Sequence, residues 1–221
     1  MERVKFGLLG AGGFAREVMP FVKGSVAKSL LVSENNIDVY FVETWQPKEP
    51  TVNGYSVLSL DEFIQLNGRK YFNVAVGSGR DREAMATKVG SNAEALTLYA
   101  PQAIILDCNI IGTGSVCCSN TMVTSNAKIG KFFQCNIYAY VAHDCVIGDF
   151  VTFAPGVRCN GRVHIDDYAY IGTSAIIREG TSEKPLHIGK GAVIGMGAVV
   201  TRDVPAGATV VGNPARLMEK R

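Results

Sequence analysis

From Ile105 onward every sixth residue is apolar, and very few folds produce that period. The series runs Ile105, Ile111, Cys117, Val123, Ile129, Cys135, Val141, Ile147, Phe153, Cys159, Ile165, Ile171 and Ile177 without a break. It resumes at Ile188, Ile194, Val200 and Ala206. An α-helix repeats every 3.6 residues and a strand every two, so neither explains it. Glycine often follows the apolar residue, as at Gly112, Gly130, Gly148, Gly172, Gly189, Gly195 and Gly207. Four places after it, small residues recur, among them Ser115, Thr121, Ala127, Ala139, Ala169, Ala175, Ala192 and Ala198. Each hexad therefore supplies a short strand and a tight corner, with one large side chain pointing into a narrow prism. Three hexads, 18 residues, close one triangular coil, and stacked coils share one core as in other solenoids.

The prism accounts for half of the cysteines. Cys117, Cys135 and Cys159 hold inward positions, where a free thiol packs as a small hydrophobe. The six cysteines form no C-x-x-C pair and the three histidines are scattered, so neither a disulfide framework nor a metal site is expected. Between Ile177 and Ile188 the step is 11 residues, and the polar segment 178–185 should bulge out. Such a loop either touches a ligand or partner or is simply solvated.

The first 98 residues have a different texture. Val4–Leu9 reads as a buried strand and leads into Gly10-Ala11-Gly12-Gly13. Phe14 to Lys23 carries apolar residues at helical spacing. Asp38 to Val42 reads as a second strand, Ser59-Leu60-Asp61-Glu62 as a capping box, and Val74-Ala75-Val76 as a further strand. Gly77-Ser78-Gly79 follows, and Arg80 to Val89 is helical up to Gly90. Alternating strands and helices imply a small parallel sheet. G-x-G-x-x-A over Gly10 to Ala15, after a strand and before a helix, suits a phosphate at a helix N-terminus. At half the size of a full dinucleotide fold, this unit is not expected to bind NAD.

Charge and hydropathy exclude other classes. A net charge of +2 with no basic run argues against a nucleic-acid partner. No apolar run is long enough to span a bilayer, and the N-terminus lacks a signal-peptide layout, so a cytoplasmic protein is expected.

The hexad run, followed by Asp203-Val204-Pro205-Ala206-Gly207 and Val211-Gly212-Asn213-Pro214-Ala215-Arg216, resembles the hexapeptide-repeat acyltransferases. With the preceding glycine-rich unit, the whole chain resembles the bacterial sugar acetyltransferases of the PglD/NeuD type. The resemblance implies an α/β N-terminal Rossmann-like domain (1–98) plus a C-terminal left-handed parallel β-helix of hexapeptide repeats (99–221). It also implies a homotrimer, acetyl-CoA as co-substrate, no metal, and a UDP- or dTDP-linked 4-amino-4,6-dideoxy sugar as acceptor for surface-glycan (O-antigen) synthesis. Two alternatives stand beside it: O-acetylation of sialic acid or another glycan hydroxyl, and a non-catalytic nucleotide-sugar scaffold.

Acetyl transfer needs a base, oxyanion donors and two substrates held together. His143, in Val141-Ala142-His143-Asp144, is the candidate base and Asp144 its orienting partner. From the residues alone a solvated corner histidine is also open; the resemblance implies the catalytic role. One coil after His143 stands Gly161, whose N–H is a candidate oxyanion donor, or whose glycine serves only the corner's backbone angles. Gly172, Thr173, Gly195, Gly197 and Pro214 are candidates for contacting acetyl-CoA, and Lys190, Arg202 and Arg216 for its phosphates. For the nucleotide sugar the candidates are Gly10, Gly12, Gly13, Glu43, Thr44, Gly77, Ser78 and Asn136. Phe14 and Tyr99 stand where relatives often carry histidine. His164 and His187 read as structural or solvated.

Overall fold

The fold comes from a computed structural model that describes residues 3–218. The chain divides into two compact units between Pro101 and Gln102.

The N-terminal unit is a six-stranded sheet with three helices. Its elements are β1 (Val4–Leu9), α1 (Gly13–Leu30), β2 (Ile37–Glu43), β3 (Thr51–Val52), β4 (Tyr55–Ser59), α2 (Leu60–Gln65), β5 (Lys70–Val74), α3 (Gly79–Val89) and β6 (Glu94–Ala95). The strand order is β3-β4-β2-β1-β5-β6, parallel except for β3 against β4. β1 is central and reads as a buried run because it is covered on both faces. The chain adds strands to one side of β1, then crosses to add β5 and β6 on the other. The C-terminal ends of β1 and β5 thus flank a topological switch point, where open α/β sheets leave a crevice.

Two boundaries differ from the sequence expectation. The first helix runs on to Leu30 because Ser25 and Val26 continue the buried face of Ala15, Val18, Met19 and Val22 past Gly24. The strand expected at 74–76 lies earlier, because β1 pairs with it from Lys5↔Lys70 to Leu9↔Val74. The capping box on Ser59 is present, with Glu62 Oε2 accepting from the Ser59 N–H at 2.7 Å.

The C-terminal unit is a parallel β-helix with three ladders of short strands. One ladder stacks Val116–Cys117, Gln134–Cys135, Thr152–Phe153, Tyr170–Ile171, Val193–Ile194 and Thr209–Val211. The second stacks Ile104–Ile105, Met122–Val123, Tyr140–Val141, Arg158–Cys159, Ile176–Ile177 and Val199–Val200. The third stacks Ile110–Ile111, Lys128–Ile129, Val146–Ile147, Val163–Ile165 and Leu186–Ile188. From Cys117 to Val200 every hexad position is buried, and Ile105 and Ile111 in the opening coil are part-buried.

The register of the last coil departs from the sixfold count. Ala206 is exposed, and Val204 takes the inward place by bridging to Ile188. Val210 likewise pairs with Ile194, so this coil is two residues short. Val204 fills the core with a larger side chain than Ala206 would, and 205–207 becomes the corner. The earlier insertion is a five-residue excursion (Thr181–Pro185) whose two ends are anchored on one coil. Gly180 N–H donates to Gly161 O at 3.0 Å, and Leu186 N–H donates to Arg162 O at 3.2 Å.

Candidate active site

One corner of the prism collects the chemistry. Ser125, His143, Gly161 and Glu179 succeed one another at 18-residue steps, and Asn126, Asp144, Arg162 and Gly180 follow them one place on. Main-chain bonds hold the stack: Asp144 N–H to Ser125 O and Arg162 N–H to His143 O, each 3.0 Å. Asp144 has φ 59°, the left-handed corner conformation that Asp and Asn adopt more readily than most residues.

His143 is half-exposed, and its Nδ1 lies 2.8 Å from Asp144 Oδ2. That hydrogen bond is the main reason the Asp144 carboxyl sits below the ordinary aspartate range, with Asn126 and Arg162 adding to it. An ionised Asp144 only accepts, so Nδ1 carries the hydrogen and a neutral ring leaves Nε2 as a lone pair. Gly161 lies against the face of the ring. A Cβ there would stand 2.5 Å from His143 Cε1 and 2.6 Å from Nε2. Gly161 is outside the left-handed region, so what its glycine supplies is space, not a special backbone angle.

Two residues of this corner were not singled out as site residues from the sequence. Arg162 NH1 donates to Glu179 Oε1 at 2.8 Å, and its NH2 lies 3.6 Å from Asp144 Oδ2. Glu179 Oε1 stands 3.7 Å from His143 Nε2. The coil period itself was the available signal: Arg162 is 18 residues beyond Asp144, and Glu179 is 36 beyond His143.

Asn136 is not part of this group. It is buried one corner earlier, where its Nδ2 donates to Phe153 O at 3.0 Å and ties two coils together. Among the acetyl-CoA candidates, Gly172 and Gly195 are explained by stacking. A Cβ on Gly172 would lie 2.7 Å from Met196 N, and one on Gly195 would lie 2.7 Å from Val211 Cγ1. Thr173 is exposed and its carbonyl accepts from Gly197 N–H at 2.8 Å. Pro214 is exposed, and Arg202 and Arg216 line one groove with Val204 and Val210. Lys190 pairs with Asp167 at 3.4 Å and lies over the Tyr168 ring. His187 pairs with Asp166 at 3.1 Å, and His164 stacks on it in the third ladder.

The N-terminal candidates gather at the switch point. Gly10 has φ 95°, and a Cβ there would meet Val76 Cγ2 at 3.2 Å, so the β1 and β5 loops touch at a glycine. Gly12 caps α1, and among the described residues a Cβ on Gly12, Gly13 or Gly77 would meet nothing within 4 Å beyond its chain neighbours and its own helix. Glu43, at the end of β2, accepts a hydrogen bond from the Ala11 main chain; part burial pushes its carboxyl up despite that bond. Ser78 caps α3 by accepting from Asp81 N–H at 3.3 Å. Thr44 lines a separate groove with Trp45, Asp61 and Lys88. Buried Arg82 donates to Val76 O at 2.7 Å and fixes the β5 loop from beneath.

Comparison with known proteins gives this stacked hexapeptide β-helix its class, that of the acyltransferases. The chain is 42% identical over 217 residues to a GDP-perosamine N-acetyltransferase of Escherichia coli O157:H7, covering 97% of this chain and 96% of that protein. The solved structure of WeeI from Acinetobacter baumannii AYE has a TM-score of 0.89 and 48% identity, covering 97% of this chain and all of that one. The acetyltransferase domain of PglB from Neisseria gonorrhoeae FA1090, solved with acetyl coenzyme A, has a TM-score of 0.83 and 28% identity, covering 99% of this chain and all of that one. No protein-family model matches the chain. The chain belongs to the hexapeptide-repeat sugar acetyltransferases of the left-handed β-helix type. It is an acyltransferase.

Proposed function

We propose that the protein transfers an acetyl group from acetyl-CoA to the amino group of a GDP-linked amino sugar. The observation that carries this reading is His143, bound through Nδ1 to Asp144 and lying against Gly161. The nucleotide is read as GDP, in place of the UDP or dTDP expected from the sequence, because a relative 42% identical along nearly the whole chain is a GDP-perosamine N-acetyltransferase. The acetyl donor is read from the acetyl coenzyme A held by the related PglB domain. The protein is taken to act in the cytoplasm as a homotrimer and to supply surface-glycan synthesis; none of its described helices is long and apolar enough to cross a membrane.

The reaction needs no covalent enzyme intermediate. The sugar amine attacks the thioester carbonyl carbon while His143 Nε2 takes a proton from the nitrogen. Asp144 stabilises the imidazolium that forms. The Gly161 N–H, which donates no hydrogen bond among the described residues, serves the oxyanion. The carbon–sulfur bond breaks, the imidazolium returns its proton to the thiolate, and amide and CoA-SH leave. The N-terminal unit, read as a Rossmann-like nucleotide-sugar domain, holds the diphosphate at the Gly12–Gly13 end of α1 with Gly77 beside it. The exposed backbone near Thr173 and Gly197 and the groove of Arg202 and Arg216 serve the pantetheine and phosphates of CoA.

His143→Ala should lower kcat with acetyl-CoA and GDP-perosamine by about a hundredfold or more, the usual scale for a general base, while binding of both substrates persists. Thiol release at the wild-type rate from that variant would overturn the reading.

A further inference from the structure

The start of the insertion is a fixed part of the corner. Glu179 precedes the excursion and keeps the regular coil register, since Gly180 N–H is bonded to Gly161 O. Gly180 itself leaves no room for a side chain: a Cβ would stand 2.5 Å from Leu186 N and 2.8 Å from Pro185 Cα. Gly161, between His143 and Glu179 in the stack, has no side chain to separate them. The result is the 3.7 Å approach of Glu179 Oε1 to His143 Nε2. With Nδ1 donating to Asp144, both atoms are acceptors. Two acceptors at that separation are bridged by one nitrogen at about 2.9 Å from each.

A primary amine or ammonium has two or more N–H bonds and can donate to both atoms at once. A hydroxyl has one O–H and can satisfy only one of them. Charge acts in the same sense. Asp144 and Glu179 against Arg162 leave one negative charge beside a neutral imidazole, which favours a cation over a neutral alcohol. We propose that Glu179 is a specificity-determining residue that makes this site accept an amine and refuse a hydroxyl. This rests on the reading of His143 as the base. The bound ammonium first gives one proton to solvent water. The amine, still donating to Glu179, then forms the N–C bond as Nε2 takes the second proton.

The test is equilibrium binding and turnover with two probes: GDP-perosamine, and the GDP-linked sugar with a hydroxyl in place of the amine. The wild-type protein is expected to bind the amine about tenfold or more tightly than the hydroxyl analogue, the worth of one charge-assisted hydrogen bond. Glu179→Gln should remove most of that preference by weakening the amine alone, whereas Glu179→Asp should keep part of it. The KM for the amine should rise in Glu179→Gln while the KM for acetyl-CoA stays as in the wild type, which also shows that the variant is folded. An unchanged preference in Glu179→Gln, or no preference in the wild type, overturns the inference and leaves the base assignment standing. Wild-type thiol release by His143→Ala overturns the base assignment and this inference with it.

Discussion

At the scale of single residues the sharpest constraint is the missing side chain at 161. A methyl group there would stand 2.5 Å from His143 Cε1, closer than real Cβ contacts allow. The backbone at this position suits any residue, so the penalty of Gly161→Ala falls on the imidazole and not on the coil. The ring would have to swing away from its place between Asp144 and Glu179. Gly161→Ala should therefore cost about tenfold or more in kcat/KM, the scale of a misplaced catalytic group, with a melting temperature close to that of the wild type. A variant that unfolds early but keeps full activity per folded molecule would show that the glycine serves the corner and not the base. The placement of Gly161 against His143 was legible in the sequence, because the coil period stacks the two at one corner. The carboxylate facing Nε2 was not, because Glu179 sits where the hexad count breaks and reads as the first residues of a loop.

At the scale of elements, regular repetition was legible and its exceptions were not. The inward positions from Cys117 to Val200 follow from counting, since stacked coils give each hexad the same environment. The final coil does not follow, because it is two residues short and the inward place passes from Ala206 to the larger Val204. In the N-terminal sheet the cross-strand partners were equally invisible before the register was known. β1 and β2 pair Lys5 with Asp38, and the Asp38 carboxylate also binds Arg3. Those two cations hold it well below the usual carboxylate range, with the Arg3 hydrogen bond the largest cause. A carboxyl lowered on folding contributes stability above its unfolded pKa and loses it as pH falls toward the folded one. Asp38→Asn should therefore lower stability at neutral pH by about 1 kcal/mol, a modest figure because Arg3 is half-exposed and the pair is screened. The deficit should shrink below about pH 4, where the unfolded carboxyl protonates. Urea midpoints of both proteins at pH 7 and pH 3 measure it, and an equal deficit at both values would refute the electrostatic origin.

At the scale of the whole molecule, two units with separate cores invite separate responses to the two substrates. The N-terminal sheet encloses its core between helices, and the β-helix encloses its own within the prism. The proposed nucleotide loop, with open space over Gly12, Gly13 and Gly77, belongs wholly to the first unit. A ligand stabilises the unit it binds by about 2.7 kcal/mol at a hundred times its dissociation constant. GDP should therefore raise the melting transition of the N-terminal unit. CoA should raise that of the β-helix, which carries Thr173, Gly197 and the Arg202 groove. Differential scanning calorimetry of the intact chain with each ligand alone, and tryptophan fluorescence from Trp45, the single Trp and a residue of the first unit, assign the transitions. The placement of the nucleotide fails if GDP moves only the transition that Trp45 does not report. Melting as one cooperative step that both ligands shift equally would show instead that the two cores are thermodynamically one, and the separate-response prediction would be wrong.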